Sequence, residues 1–484
     1  MAGVRRPAPT DGTQASYRRA GFWLDDLVRS GVDTLAPRPS LTADAWFDVA
    51  IVGGGLTALW TAHELSKADP GLRIAVLERE IAGFGASGRN GGWCSALFPR
   101  STGSLERSHG RSHAIAMRRA MIDTVDVVGR TAAEEGIDCD FAKGGTIVFA
   151  RSEAQRQLAE ADVLEAREYG VDELEYWPET VVAGRFGATG HDGATPSAVY
   201  DPACASVHPA KLVRGLARVV ESRGVAVFER TEVVDWSAGR VRVRSLDGSG
   251  AEATVSARHV IIATEGYGAR LPRVGRRILP LYSLMIATEP LPDAVWDDIG
   301  LAHGHTFSDY RHLLVYGQRT ADNRFAFGGR GARYHWGSSI DPDFERVDRV
   351  FEHLHTTLRE FFPAIGDAAV THRWGGALGV ARDWHATASY NPKTGVGFAG
   401  GYVGDGLSTT NLAGRTLADL VLGRATALTE LPWVNHRSPL WEPEPLRFAG
   451  ANLGLLGMGL ADAEERITQR PSLISRALGP LVGH

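Results

Sequence analysis

Apolar runs and amphipathic stretches alternate near the start of the chain. The run FDVAIVGGG is continuously apolar and ends in glycine, which predicts a buried strand. The next stretch, LTALWTAHELSKADP, places Leu56, Leu59, Ala62 and Leu65 on one side of a helix and stops at a DPG turn. The run LRIAVLERE then predicts a second buried strand. Together these elements form a βαβ unit, for which we expect a right-handed crossover.

The rest of the chain interleaves helical and strand patterns. Residues 105–170 are mostly helical and charged, with a strand in GGTIVFA, and HPAKLVRGLARVVESRGVAVFERTEVV predicts a helix followed by a strand. Residues 239–266 predict a hairpin that returns to a buried strand. Strands alternate over 281–374 with one helix in FERVDRVFEHLHTTLREFFP, and 395–422 is again strand, glycine loop and helix.

This pattern predicts an α/β fold with a Rossmann-like nucleotide-binding domain built from discontinuous segments and a second, α+β domain with an antiparallel sheet. The predicted boundaries are 47–105, 205–280 and 375–430 for the nucleotide domain and 106–204 and 281–374 for the second domain. Residues 1–46 form an N-terminal extension with a short apolar helix in AGFWLDDLVRSGV, and 431–484 form a C-terminal helical tail.

Composition narrows the class of protein. The 484 residues are too many for one core, and 44% hydrophobic with 23% charged residues is ordinary for a globular protein. A net charge of -5 gives no reason to expect nucleic acid or an anionic membrane as a partner. Three cysteines without a C-x-x-C pair argue against a disulfide framework and favour a reducing cytoplasm. We expect no secretory signal and no membrane span, because no sufficiently long apolar run occurs.

The first glycine turn carries a dinucleotide fingerprint. Residues 53–58 read GGGLTA, the G-x-G-x-x-A pattern, in which Gly53 makes the turn and Gly55 lets a pyrophosphate approach the backbone. Ala58 keeps helix and strand close, and the helix N-terminus faces the phosphates. Glu78 ends the second strand, where its carboxylate can accept hydrogen bonds from ribose hydroxyls. The motif alone does not distinguish NAD from FAD.

A second glycine loop, GFGASGRNGGWC at residues 83–94, favours FAD. A loop of this kind suits a long cofactor whose ring system continues past the pyrophosphate. Ser87, Arg89 and Asn90 supply donors for phosphate and flavin oxygens, and Gly91 and Gly92 let the backbone run beside the isoalloxazine. A mobile surface lid is the alternative interpretation.

Two further segments extend the predicted site. HVIIATEG is a buried strand that ends in small residues around Thr264, which can pass under a nucleotide. In GVGFAGGYVGDGLSTTNLAGRTLADLVLG a glycine loop opens a helix whose N-terminus carries partial positive charge. Aimed at the pyrimidine edge of a flavin, it would stabilise negative charge on the reduced ring. An ordinary capped surface helix is the alternative.

Together the four segments resemble the D-amino-acid-oxidase-like (DAO) family of FAD-dependent amine and amino-acid oxidoreductases over residues 45–425. The loop GFGASGRNGGW most resembles the branch that contains gamma-glutamylputrescine oxidase. The resemblance implies an FAD domain, a substrate domain with a large antiparallel sheet, and adenine held by the backbone of Val233. In this chain Asp405 stands where the family usually has His or Ser, so it either faces a cationic substrate or points away. Covalent flavin attachment at Cys94 is conceivable, with a buried inert thiol as the alternative.

The candidate cofactor-binding residues are Gly53, Gly55, Leu56, Thr57, Ala58, Glu78, Arg79, Gly85, Ala86, Ser87, Arg89, Asn90, Gly91, Gly92, Trp93, Val233, Thr264, Gly266, Gly404, Asp405, Gly406, Leu407, Ser408 and Thr409.

The chemistry that the resemblance implies is oxidation of a C–N bond in an amine or amino acid. Hydride moves to flavin N5, the imine hydrolyses, and oxygen reoxidises the flavin to give hydrogen peroxide. We assign no catalytic base, because none is required if the amine binds unprotonated. The candidate substrate residues are Tyr267, Tyr282, Tyr316, Arg330 and Trp374. Arg330 could clamp a carboxylate or phosphonate, or form a solvated salt bridge.

Several alternatives stay open on sequence grounds. The enzyme could pass electrons to a quinone or carrier protein as a dehydrogenase, or the chain could be a non-catalytic flavoprotein subunit. Flavin N-oxygenation would need NADPH, and we find no second nucleotide fingerprint. The histidine pairs HGH and HLH lack a third ligand at metal spacing, so we predict no metal site. An oligomer is possible.

Overall fold

The computed structural model describes residues 12–482. The helices are α1 (Gln14–Arg18), α2 (Phe22–Arg29), α3 (Leu56–Ala68), α4 (Ala86–Arg89), α5 (Thr102–His109), α6 (Arg111–Glu134), α7 (Glu153–Glu168), α8 (Glu179–Ala183), α9 (Pro209–Ser222), α10 (Asp293–Ile299), α11 (Asp348–Phe361), α12 (Gly406–Val421), α13 (Leu446–Thr468) and α14 (Leu473–Val482). The strands are β1 (Ala45–Val52), β2 (Ile74–Leu77), β3 (Trp93–Cys94), β4 (Thr146–Ala150), β5 (Glu175–Trp177), β6 (Ser197–Asp201), β7 (Ala205–Ser206), β8 (Ala226–Phe228), β9 (Thr231–Ser237), β10 (Arg240–Ser245), β11 (Glu252–Ile262), β12 (Leu279–Thr288), β13 (Thr306–Asp309), β14 (Val315–Arg319), β15 (Phe325–Ala332), β16 (Val370–Val380), β17 (Thr387–Asn391) and β18 (Val396–Gly400).

The first sheet has the strand order β17-β18-β11-β1-β2-β8, with β9 and β10 appended to β11 as a hairpin. Strands β18, β11, β1, β2 and β8 are parallel, and β17 runs antiparallel at the edge. The inner strands are continuously apolar because both faces are covered, one by helices and the other by the β9–β10 hairpin together with Val274 and Ile278. The predicted βαβ unit of β1, α3 and β2 is therefore present.

Helices α3, α6, α9 and α12 contribute to one core against this sheet. The close approach of α12 to α3 depends on Gly414, where an added Cβ would lie 2.5 Å from Trp60 Cβ. Helix α6 buries Met117, Met121 and Val125 in the same core, although its residues lie within the segment predicted for the second domain. Periodicity identifies the apolar face of a helix and does not identify which sheet that face covers.

The second sheet has the order β16-β12-β15-β14-β13-β4-β6-β5 and is antiparallel except for the parallel pair of β13 and β4. Helix α11 packs on it through Phe351, Leu354 and Leu358. Strand β16 pairs with β12 along its whole length and crosses the predicted boundary at 374/375. The domain boundaries themselves stay a prediction.

The chain ends pack differently from each other. Helix α2 buries Phe22, Trp23 and Leu24 against Trp374 and Met285. Helix α13 leaves several leucines exposed. Within residues 12–482, no helix is both long enough and apolar enough to cross a membrane. Of the N-terminal extension, residues 1–11 lie outside the described residues.

Candidate cofactor and substrate site

A cavity of about 420 Å³ lies where three parallel strands end. Val52, Leu77 and Ala263, at or just past the carboxyl ends of β1, β2 and β11, contribute to its wall. Open parallel sheets bind their ligands in this position, and the volume is within the range of ligand pockets. The predicted cofactor residues that line it are Gly53, Gly55, Leu56, Thr57, Glu78, Arg79, Gly85, Ala86, Ser87, Asn90, Val233, Thr264, Gly404, Gly406 and Leu407.

The first glycine turn forms a cradle that side chains would fill. Gly53 has φ of +101°, and an added Cβ would lie 2.6 Å from the carbonyl oxygen of Ala263. At Gly55 an added Cβ would lie 2.8 Å from Ser87 Oγ. Ser87 Oγ accepts a hydrogen bond from the backbone N–H of Leu56 at 2.9 Å, and no side chain of the N-cap residue Gly55 closes the helix. Ser87 therefore occupies the first N–H of α3, and the N–H groups of the following residues remain available to a pyrophosphate.

Glu78 stands at the opposite wall of the turn. Its Oε2 accepts from Gly54 N–H at 2.6 Å and its Oε1 from Glu80 N–H at 2.8 Å. Burial raises the pKa of Glu78 to about 7, against the effect of these amide donors. Each carboxylate oxygen keeps a free acceptor site. The carboxylate can therefore accept hydrogen bonds from two ribose hydroxyls. The buried Thr264 Oγ1 has no hydrogen-bond partner among the described residues and offers one more polar group to a cofactor.

The side chain of Arg89 does not reach this cavity. Its Nη1 donates to Glu345 Oε2 at 2.6 Å and its Nη2 to the Tyr267 hydroxyl at 3.0 Å, while the guanidinium lies over the ring of Phe84. The structure thus pairs Arg89 with Glu345 in a buried ion pair, whereas the sequence predicts a contact with cofactor oxygens. Nothing in the sequence points to Glu345, because it lies in a segment far from the loop.

Asn90 also has a different role from the predicted one. Its Nδ2 donates to the carbonyls of Ala86 at 3.0 Å and Ser87 at 3.2 Å, and its Oδ1 accepts from Gly92 N–H at 2.7 Å. The amide organises the second glycine loop from inside rather than presenting a free donor to the cofactor.

Three consecutive backbone carbonyls of the second glycine loop accept hydrogen bonds from side chains of other elements. Trp374 Nε1 donates to Arg89 O at 2.8 Å, Trp23 Nε1 to Asn90 O at 2.7 Å, and Gln318 Nε2 to Gly91 O at 2.8 Å. Trp374 is 3% exposed and lines neither the large cavity nor the smaller one that adjoins it, so the structure places it behind the second glycine loop instead of at the predicted substrate wall. Sequence reasoning missed Trp23 and Gln318, because the donors come from three separate segments.

The N-terminus of α12 faces the cavity through Gly406, Leu407 and Thr410. Ser408 Oγ instead donates to Ser95 O at 2.6 Å, and Thr409 Oγ1 to Asp405 O at 2.5 Å. Both side chains are fully buried and line neither cavity, so the structure gives them hydrogen bonds within the protein instead of placing them toward the predicted cofactor site. The N-cap residue Asp405 makes no side-chain cap, which leaves the end of the helix open.

A smaller cavity of about 50 Å³ adjoins the large one and shares Ala86, Asn90 and Gly404 with it. Its wall includes Arg89, Gly91, Trp93, Tyr316, Arg330 and Asp405. Tyr316 and Ser283 join their hydroxyls at 2.8 Å. Of the other predicted substrate residues, Tyr267 lines the large cavity. Tyr282 lines neither cavity and packs its ring edge-on to His335 and Phe344, so the structure does not bring it to the predicted substrate wall.

Two opposite charges meet at the smaller cavity. Arg330 Nη2 donates to Val403 O at 2.6 Å, which fixes the guanidinium and leaves its other N–H groups available. Burial raises the pKa of Asp405 to about 6, with Arg330 and the Ser95 hydroxyl opposing the rise. Among the described residues no ion pair within 4.0 Å joins Arg330 to Asp405, so the two side chains attract each other electrostatically without direct contact.

Four further predicted or considered positions, Ala58, Gly92, Gly266 and Cys94, line neither cavity. Ala58 is buried within α3, and Gly92 and Gly266 lie close to neighbouring backbone or side chains without lining a cavity. Cys94 is fully buried and lines no cavity, and burial raises the pKa of its thiol well above the usual range. Sequence reasoning missed Glu265, which lines the large cavity and accepts from the N–H groups of Gly401 and Tyr402 at 3.1 Å.

The chain is similar in sequence and in fold to known FAD-dependent oxidoreductases. The model of the DAO family, FAD dependent oxidoreductase, matches residues 48–420. The chain is 30% identical to the gamma-glutamylputrescine oxidoreductase of Escherichia coli over 82% of this chain and 89% of that protein. It is also 30% identical to a probable oxidoreductase OrdL of Haemophilus influenzae over 80% of this chain and 85% of that protein. Glycine oxidase from Geobacillus kaustophilus has a similar fold, with a TM-score of 0.65, 23% identity, and coverage of 81% of this chain and 100% of that structure.

The chain therefore belongs to the DAO family of FAD-dependent oxidoreductases. The predicted fold class, the resemblance to this family and FAD as the cofactor are confirmed, as is the prediction of an oxidoreductase that acts on CH–NH groups. The glycine cradle, Glu78 and the open N-termini of α3 and α12 are the features of this chain that fit the cofactor.

Proposed function

We propose that this FAD-dependent oxidoreductase oxidises the C–N bond of an amino acid or of an amine that carries an acidic group. The observation that carries the proposal is the placement of Arg330 and Asp405 together on the small cavity, which adjoins the large one at the second glycine loop and the N-terminus of α12. A substrate with a carboxylate and an amino group has complementary charges for both side chains.

The bound cofactor supplies one kind of chemistry, acceptance of a hydride at flavin N5 from the carbon that bears the neutral amine, after which water hydrolyses the imine to a carbonyl compound. The residues of this chain position the substrate. Arg330, already fixed by Val403 O, offers its remaining N–H groups to a carboxylate. Asp405 is ionised above a pH of about 6 and attracts the protonated amino group, which gives its proton to solvent water before the neutral amine reacts.

The apolar wall of the small cavity favours hydride transfer because it keeps water away from the reacting groups. Trp93, Met285, Leu314 and Leu378 provide much of its apolar wall, and Tyr316 is fixed by Ser283. A preorganised wall holds the reacting carbon close to its acceptor, which is the main contribution that proteins make to reactions of this type. No side chain is assigned as a catalytic base.

The names of related proteins support both substrate classes. One relative is a gamma-glutamylputrescine oxidoreductase, and similar structures include glycine oxidase and an L-amino acid deaminase. We favour a substrate with an acidic group because Arg330 lines the small cavity and uses only one of its N–H groups to bind Val403 O. We further propose oxygen as the acceptor, with hydrogen peroxide as a product, and a reducing cytoplasm as the setting, since the three cysteines are free.

Anaerobic reduction of the holoenzyme tests the proposal. The flavin absorbance should bleach with a member of a panel of amino acids and γ-glutamyl amines, and the same substrate in air should release peroxide. Bleaching without peroxide would replace oxygen by a quinone or carrier as the acceptor. A holoenzyme that no amine or amino acid bleaches would contradict the proposal and favour a non-catalytic flavoprotein.

The role of Arg330 is tested with the same assay. Arg330→Met should raise KM for acidic substrates by at least about tenfold, equivalent to 1.4 kcal/mol of lost binding, because a charge-assisted hydrogen bond to a carboxylate is worth this much. Arg359→Met, at an exposed arginine on α11, is the matched control and should leave KM unchanged. An equal effect of both changes, or none from Arg330→Met, would exclude the proposed carboxylate contact.

A further inference from the structure

Three histidines from separate parts of the chain converge away from both cavities. His109 ends α5, His385 precedes β17, and His436 lies in the segment before α13. One ring nitrogen from each lies within 4.8 Å of the others. None lines the cofactor or substrate cavity. We call them the three-histidine cluster.

The hydrogen bond of His385 fixes its tautomer. Its Nδ1 lies 2.7 Å from Ala386 O, and because a carbonyl can only accept, Nδ1 carries the proton. The lone pair therefore lies on Nε2. The His385 residue is 3% exposed, and its Nε2 has no hydrogen-bond partner among the described residues. A buried acceptor without a partner lowers the stability of the fold. A hydrogen-bond donor or a metal ion bound to this nitrogen would remove that cost.

His436 is oriented in the complementary way. Its Nε2 lies 2.8 Å from Asp383 Oδ2, and a carboxylate at this distance holds the proton on Nε2 and leaves the lone pair on Nδ1. A carboxylate behind an imidazole is the usual second contact of a metal-binding histidine, because it fixes the ring and makes its free nitrogen more basic. The rings of His385 and His436 are stacked, with centroids 3.8 Å apart, so one ring must tilt away from the other for both lone pairs to point at one ion.

We propose that the three-histidine cluster binds a divalent transition-metal ion, with Zn²⁺ as the best match. Three neutral imidazoles without a thiolate suit Zn²⁺, Co²⁺ and Ni²⁺, and water would complete the coordination. Ligands at about 2.0–2.1 Å from a tetrahedral ion lie about 3.3 Å apart, so the nitrogens close up by up to about 1.5 Å when the ion binds. The proposal does not depend on the proposed substrate or acceptor.

The position of the cluster gives the ion a structural role. It would join α5, the loop 383–385 and the C-terminal segment, three parts of the chain that are distant in sequence. Arg100 Nη1 already donates to Asp383 O at 2.8 Å and anchors the same loop. The ring of Trp384 in this loop lies 5.9 Å from the guanidinium of Arg330. Binding of the ion therefore stiffens a loop next to the substrate cavity.

Titration of tag-free, chelator-treated holoenzyme with Co²⁺ is the direct test. We expect one equivalent to bind and to give the visible absorption of a tetrahedral cobalt site at wavelengths beyond the flavin bands, and Zn²⁺ to displace it. His436→Ala, at a partly exposed position, and His109→Ala should each weaken binding at least about tenfold. His303→Ala, an exposed histidine outside the cluster, is the control and should not change it.

Asp383→Asn tests the orientation of His436 separately and should weaken Co²⁺ binding by about 10–100-fold with FAD content unchanged. Flavin absorbance and the thermal midpoint of each variant without metal show whether it has folded. Failure of the folded wild-type holoenzyme to bind one equivalent of Co²⁺ or Zn²⁺ overturns the proposal, whatever the variants do. Equal binding by wild type, His109→Ala and His436→Ala overturns it as well.

Discussion

Replacement of Arg89 by methionine should destabilise the protein without a specific effect on FAD. The guanidinium is 2% exposed and lies 2.6 Å from Glu345 Oε2, whose side chain is 13% exposed. Loss of the cation leaves a buried carboxylate unpaired, and breaking a buried ion pair in this way costs about 3–5 kcal/mol. At roughly 2–4 °C per kcal/mol for domains of 150–250 residues, the thermal midpoint of the apoprotein should fall by about 6 °C or more.

A double-mutant cycle separates the ion pair from a cofactor contact. Replacement of both partners of a buried ion pair by apolar groups often leaves the stability of the fold unchanged. The double variant Arg89→Met, Glu345→Leu should therefore recover most of the stability that Arg89→Met loses. Arg359→Met is the control: its pair with Asp367 is exposed, so it should cost less than about 1 kcal/mol.

The affinity for FAD, measured by quenching of flavin fluorescence, should change less than about tenfold, or 1.4 kcal/mol, in Arg89→Met. A loss of FAD affinity well beyond tenfold at an unchanged thermal midpoint would show that Arg89 binds the cofactor directly. Strictly additive effects in the cycle would likewise refute the argument from the ion pair.

Three further predictions address the cavity walls. Gly55→Ala places a Cβ 2.8 Å from the Ser87 hydroxyl and should lower FAD affinity at least about tenfold by fluorescence titration, whereas Gly450→Ala, where a Cβ meets nothing, should not. Because the pKa of Asp405 is about 6, its side chain is neutral below this pH and charged above it. The value of kcat/KM should therefore fall as the pH drops through 6, and Asp405→Asn should abolish this fall in the dependence of kcat/KM on pH. Trp23→Phe removes a donor to the second glycine loop, which costs about 1–3 kcal/mol and should speed the release of FAD during gel filtration.

Residues that are close in sequence were predictable. The turn at Gly53 and Gly55 and the carboxylate of Glu78 line the cavity, because strand, turn and helix follow one another and fix the relative positions of these groups. Buried strands such as β1 and β2 were predictable for a related reason: continuous apolar runs bounded by glycine permit few other structures.

The direction of a side chain was not predictable where its partner is distant. Arg89 turns towards Glu345, Ser408 donates to Ser95 O, and Tyr282 packs against His335 instead of lining a cavity. Each of these contacts forms between segments that only the assembled sheets bring together. The sequence therefore supplied the site's backbone framework and left the side-chain partners undetermined.

The second glycine loop shows why glycine content and mobility must be considered separately. Its carbonyls at residues 89–91 are bound by Trp374, Trp23 and Gln318, and each donor side chain comes from a different structural element. Buried donors of this kind remove the freedom that glycine would otherwise allow, so the loop is ordered before the cofactor arrives and binding costs little further entropy. The glycines serve close approach instead: at Gly91 a side chain would overlap the ring of Tyr316. Of the N-terminal extension, residues 12–46 contribute no residue to the large cavity, yet Trp23 holds the loop that lines it, and the Trp23→Phe variant tests the expected effect on FAD binding.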